Sequence, residues 1–112
     1  MEITISEIEQ ITKVALAGRL DTAGVIGMQG RFADTIVPAG RHAVVDLSKV
    51  GFMASLGIRM LISTTRALSS RGGRIALYGA SPAVMEIIET TSLHEIVPVA
   101  ASEGEAIAMV KG

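Results

Sequence analysis

Apolar and polar residues alternate at the start of the chain, where Ile3 and Ile5 are separated by Thr4. They alternate again from Ile11 through Val14 to Leu16, with the polar stretch Glu7–Gln10 between the two runs. Period-two alternation on both sides of a short polar interval predicts an N-terminal β-hairpin. After Gly18-Arg19-Leu20 the period lengthens. Val25, Met28, Phe32 and Ile36 recur every three or four residues, which predicts a helix capped by Asp21 or Thr22 and ended by Pro38 and Gly40. The run His42–Leu47 carries Ala43-Val44-Val45 without a polar break, as a strand covered on both faces does, and so points to a parallel or mixed sheet.

Further along, Leu56, Met60, Leu61, Thr64, Ala67 and Leu68 share one side of a second helix, which opens at Ser55 and closes at Gly72-Gly73. Arg74–Gly79 predicts a short strand. Ser81-Pro82 starts a third helix with Pro in its first turn, and Val84, Ile87 and Ile88 supply its buried stripe. Leu93–Val99 is expected to be the last strand, with Pro98 confining it to an edge or an irregular ending, and Ser102 opens a C-terminal helix through Ala106, Ile107 and Val110. The order β-β-α-β-α-β-α-β-α implies right-handed crossovers. The expected fold is α/β: one domain over residues 1–112, with a mixed β-sheet, an N-terminal hairpin and about four packed helices.

Composition narrows the partners. The 112 residues are 49% hydrophobic and 19% charged, enough for one core and too few for two domains of ordinary size. Ten Lys and Arg against eleven Asp and Glu leave a formal charge of −1, with no basic block to neutralise a run of phosphates, so direct nucleic-acid binding is not expected. Phe32, Phe52 and Tyr78 are the only aromatic residues, so no stacking platform exists and the core must be aliphatic. The start of the chain alternates and carries Glu2 and Glu7 where a signal peptide needs a basic region and an unbroken apolar run. No stretch approaches the roughly 18 consecutive apolar residues of a membrane span. A cytoplasmic protein without membrane insertion is the expectation.

The absence of cysteine removes thiol catalysis and thiolate metal sites. A hydrolase would need Ser55 as nucleophile with His42, His94, Asp21 or Asp46 as partners. The sequence Ala54-Ser55-Leu56-Gly57 lacks the glycine two residues before Ser that a nucleophile elbow needs, and neither His has a motif or metal-ligand spacing around it. Gly72-Gly73-Arg74 and Gly79-Ala80-Ser81 match no phosphate-binding fingerprint; a helix C-cap and a strand-to-helix turn account for them. No catalytic residue, metal ligand or cofactor is expected. Ser55 has two readings: an N-cap for the long helix, or a phosphorylation site at a helix start that tolerates negative charge.

Several pieces together resemble the STAS domain of the bacterial anti-sigma factor antagonist family. They are Ala17-Gly18-Arg19-Leu20-Asp21, the strand and loop from Val44 to Met53, Ser55 and Gly57 opening a helix, Gly72-Gly73, Ser81-Pro82-Ala83-Val84 and Leu93-His94-Glu95-Ile96-Val97. The family's phosphoacceptor, the first serine of an Asp-Ser-Ser/Thr-Gly motif, maps onto Ser55; the motif's Asp is Ala54 here and its second hydroxyl residue is Leu56. The resemblance implies a non-enzymatic switch. Unphosphorylated, it binds an anti-sigma factor that is itself a GHKL-type serine kinase and so frees a sigma factor, and a PP2C-type serine phosphatase resets it. The implied recognition surface is Ala54–Arg59, with Ala54, Leu56 and Gly57 as contacts and Met53 and Leu56 as its apolar centre. Asp21 falls on an acidic family position, as a partner contact, a helix cap, or both. The alternative the resemblance leaves open is an accessory or ligand-binding module of a transport system. Gly24, Gly27 and Gly30 leave two readings of the first helix, as packing devices or as a segment that adapts to a partner.

Overall fold

The computed structural model describes all 112 residues. Strands β1 (Glu2–Ile8) and β2 (Ile11–Leu20) form the antiparallel hairpin, and Glu9 and Gln10 between them take φ of 50° and 67°. Two successive left-handed residues supply the twist of a tight two-residue hairpin turn. The chain continues through α1 (Thr22–Ala39), β3 (Ala43–Met53), α2 (Ser55–Ser69), β4 (Ile75–Tyr78), α3 (Pro82–Thr90), a 3₁₀ turn at Leu93–Glu95, β5 (Val99–Ala100) and α4 (Glu103–Lys111). The five strands lie in the order β1-β2-β3-β4-β5, and every neighbouring pair except β1–β2 is parallel.

Three helices cover one face of the sheet and one covers the other. On the first face, strand residues such as Val14, Leu16, Val45, Leu47 and Leu77 join Phe32 and Ile36 of α1, Leu61 and Leu68 of α2, and Val84 and Ile88 of α3 in a cluster of 21 buried residues. On the second, Ile11, Val44, Ala76 and Tyr78 meet Ala106, Ile107 and Val110 of α4 in a cluster of only 8. A single helix cannot cover five strands, so Thr4 and Ser6 of the hairpin stay exposed on that side. No helix is long and apolar enough to cross a membrane.

Three local expectations are corrected. Pro38 does not end α1: it sits in the last turn, where losing one N–H bond is tolerable, and the helix stops at Gly40, whose φ of 65° and N–H bond to the Val37 carbonyl close it. Leu93–Val99 is not a strand. Leu93 and Val97 are both fully buried, a helical rather than alternating spacing, and the Leu93 carbonyl accepts from both Ile96 N and Val97 N. Only Val99 and Ala100 remain extended, while the Pro98 carbonyl accepts from Leu77 N at 2.9 Å. Finally, β3 continues past Leu47 to Met53 and pairs with β4 only over Ala43–Asp46. Where β4 stops, the Asp46 carboxylate takes the Ser48 N–H at 2.9 Å, and the register against β2 shifts nearby. The second half of β3 therefore stands out beside the end of β2.

Candidate functional site

The protruding ends of β2 and β3 deliver α1 and α2 to the same end of the sheet. Ala54 N donates to the Leu20 carbonyl at 2.8 Å, tying the β3–α2 junction to the β2–α1 junction. Gly57 is buried there because a Cβ would lie 3.1 Å from the Leu20 carbonyl oxygen and 3.2 Å from its Cβ, so the first turn of α2 rests directly on the end of β2. At the adjoining junction, the Asp21 carboxylate accepts from Gly24 N at 2.8 Å and approaches Arg19 Nε at 3.6 Å. The Arg19 guanidinium also lies 4.6 Å from the centre of the Phe52 ring.

The helix starts are not equivalent. Asp21 caps α1, Ser81 caps α3 through Val84 N, and Ser102 caps α4 through Glu105 N. In α2 the cap position is Ala54, with extended φ and ψ of −94° and 171°, and no side chain closes it. Ser55 is thus the first helical residue and not the cap, which corrects the capping expectation. It is exposed, and its hydroxyl makes no hydrogen bond within the protein. Unpaired N–H groups of an uncapped first turn, a helix dipole and a bare hydroxyl favour an added negative charge.

Of the other residues singled out in the sequence, Asp21, Ala54 and Leu56 are half-buried around Ser55. Met53 is corrected: at 2% exposed it belongs to the core, facing inward opposite Leu20, and it offers a partner no apolar centre. Gly57 is likewise inside, where it contributes close packing rather than surface. Met60 is buried, as its spacing suggested. Near this end of α2 a groove of about 410 Å³ lies between α1 and α2, with Ala33, Leu56 and Met60 among polar neighbours Gln29, Arg59 and Ser63. Ile26 of α1, 63% exposed, is the most exposed large apolar residue of the chain. Ile26 was not singled out in the sequence, whereas Arg59 closes the expected Ala54–Arg59 surface and follows Ser55 at the four-residue spacing that stacks side chains along a helix.

The residues considered for a hydrolase do not assemble. His42 precedes β3 while Ser55 follows it, at the opposite end of the strand, and His42 Nδ1 accepts from Arg74 N at 2.9 Å. His94 is exposed in the 3₁₀ turn after α3, and Asp46 is engaged by Ser48 N. The electrostatically perturbed groups lie elsewhere, where α4 crosses the sheet. Glu103 accepts from Lys13 Nζ at 2.5 Å and from the Tyr78 hydroxyl at 2.9 Å. These bonds hold the Glu103 carboxyl below its usual range, the Lys13 side first, and raise Lys13. Burial, and then the bond to Glu103, push Tyr78 up to about 12.

A mixed sheet with three helices on one face, two helix starts laced together at one end and an open serine there defines an α/β domain of the STAS type. The chain belongs to the STAS domain family, whose sequence model matches residues 2–106. It is 26% identical over 111 residues to BtrV of Bordetella bronchiseptica, assigned as an anti-sigma factor antagonist, covering 99% of this chain and 96% of that protein. The fold is shared with an anti-sigma factor antagonist from Mycobacterium paratuberculosis, at TM-score 0.87 and 21% identity over 99% of this chain and 94% of that one. It is also shared with the anti-sigma factor antagonist SpoIIAA in its unphosphorylated form, at TM-score 0.78 and 23% identity over 99% and 97% of the two chains.

Proposed function

We propose that this chain is an anti-sigma factor antagonist, a protein-binding switch controlled by phosphorylation of Ser55. The observation that carries the reading is the exposed, unbonded Ser55 hydroxyl at the first position of an uncapped helix. The family match and the relatives named as antagonists support the general role. In the hydroxyl form the end of the sheet around Asp21, Ala54 and Leu56 binds an anti-sigma factor, a GHKL-type serine kinase, and so releases its sigma factor or another regulated target. Phosphorylation makes one bond, from Ser55 Oγ to the γ-phosphorus of ATP, and breaks the γ-phosphorus–oxygen bond to the β-phosphate. The hydroxyl proton goes to a base on the kinase, and ADP leaves. The added charge, about −1.5 to −2, lies beside α2 and changes the surface without unpacking the core. A PP2C-type serine phosphatase hydrolyses the ester and restores the binding form.

Incubation with the cognate kinase and ATP, followed by peptide mapping, tests this. Phosphate is expected on the peptide carrying Ser55 and should be lost in Ser55→Ala, which retains partner binding, while Ser55→Asp weakens the complex. Phosphate on Ser48, Ser63 or Ser69 with none on Ser55 would overturn the proposal.

A further inference from the structure

The outward side of α2 carries a ridge of Ser55, Arg59, Ile62, Ser63 and Arg66, and the last four line one shallow continuous surface. Arg59 and Arg66 are exposed and make no ion pair, as is also true of Arg31, Lys49, Arg71 and Arg74, but they are the two that lie on α2 with Ser55. Side chains on a helix lean toward its N-terminus, so a long residue at i+4 covers the turn that begins at residue i. The i+4 spacing puts the Arg59 side chain within reach of the turn that begins at Ser55. Nothing acidic competes for it nearby: α2 contains no Asp or Glu, Ala54 and Leu56 flank the serine, and the Asp21 carboxylate is engaged by Gly24 N and Arg19.

We propose that Arg59 is a phosphate clamp in cis. When Ser55 carries a phosphate, the Arg59 guanidinium pairs with it along the helix and is withdrawn from the surface a partner reads. The two states then differ by more than the phosphate. With the hydroxyl, the ridge presents two unpaired cations, Arg59 and Arg66; with the phosphate, one of them is neutralised in place. Arg suits this role because its planar fork meets a phosphate through two parallel N–H bonds, which a Lys cannot reproduce. The inference rests on the proposed role of Ser55, because it requires a phosphate there.

The test uses full-length chain in which phosphoserine is installed at position 55 during synthesis, and follows the ³¹P chemical shift with pH. The second ionisation of the phosphate, ordinarily near about 6, is expected to lie about 0.2–0.6 lower in the parent than in Arg59→Gln. Arg59→Lys should keep part of that difference, and Arg66→Gln, two further turns along, should titrate like the parent. Coincident titrations of the parent and Arg59→Gln would overturn the clamp, as would an equal effect of Arg66→Gln, which would mean a diffuse field rather than a pair. Amide spectra of the variants confirm the fold. Because no kinase enters this measurement, a kinase that ignores Ser55 would defeat the proposed function and leave the titration standing. The reverse failure is equally separable.

Discussion

Two corners of this molecule handle charge in opposite ways. Where α4 crosses the sheet, Lys13, Tyr78 and Glu103 form a closed set in which each polar group meets another. Along α2, the Ser55 hydroxyl and the guanidinium groups of Arg59 and Arg66 are exposed and make no hydrogen bond or ion pair within the protein. The difference follows from burial. Tyr78 is 6% exposed and its hydroxyl part-buried, so leaving that hydroxyl unbonded would cost desolvation free energy, and the fold supplies a carboxylate. The α2 ridge is solvated, so leaving its groups unpaired costs little and leaves them available to something else. What makes the ridge usable is the rigid foot beneath it, where the ends of β2 and β3 are tied and Gly24 and Gly57 allow close contact.

The sharpest way to break the contrast is to disturb that foot. A Cβ at Gly24 would lie 2.3 Å from the Arg19 carbonyl oxygen, so Gly24→Ala is expected to destabilise the fold by about 2–3 kcal/mol in urea unfolding. Gly27 and Gly30 on the same helix have open space around the added carbon, and their change to Ala should stabilise by about 0.5–1 kcal/mol each. That opposition tests the packing reading, which the space around the added carbon supports for Gly24 and not for Gly27 or Gly30.

A smaller effect is expected at the satisfied corner. Glu103→Ala strands the Tyr78 hydroxyl and frees Lys13, for a loss of about 1–2 kcal/mol. The pH dependence has a definite sign here. The Tyr78 hydroxyl ionises at about 12 in the fold, above its ordinary 10.0, so its contribution is complete below pH 10 and is lost as pH rises toward 12. In Tyr78→Phe that alkaline fall should flatten, with Lys13 contributing what remains. Glu103 acts at the other end: its lowered carboxyl gives stability that is present above the ordinary carboxylate range and is lost as pH falls through it. The smallest effect belongs to Ser55→Ala, within about 0.5 kcal/mol of the parent, because the hydroxyl caps nothing. A loss above about 1 kcal/mol would show a cap bond in solution and erase the contrast between the two corners.

Much of this was legible in the residues. The hairpin, the three side-chain caps at Asp21, Ser81 and Ser102, and the order of elements follow from local patterns that the tertiary structure leaves intact. The misreadings have a common physical origin in element boundaries and competition. Met53 turns inward because β3 runs on to it and pairs it with Leu20, whereas in the sequence the residues after Leu47 read as a loop. Ser55 reads as a cap because it is a good capping residue, yet the helix begins one residue earlier than that reading placed it, with Ser55 as its first residue and Ala54 in the cap position. In Leu93–Val99 the apolar residues are dense enough to fit either period, and Pro98 leaves too few N–H groups to extend a ladder.

The sheet ends differently on its two sides, and this bears on how the chain behaves at high concentration. One border is β5, two residues long and preceded by Pro98, which gives an incoming strand almost nothing to pair with. The other is β1, seven residues with one row of main-chain N–H and C=O groups facing outward. Strand-by-strand growth of this protein can therefore start from one border only. That border carries Glu2 at its beginning and Glu7, held by Arg41, near its end, so two copies meeting there bring carboxylates together. The hairpin that starts the sheet also guards it against becoming a longer one.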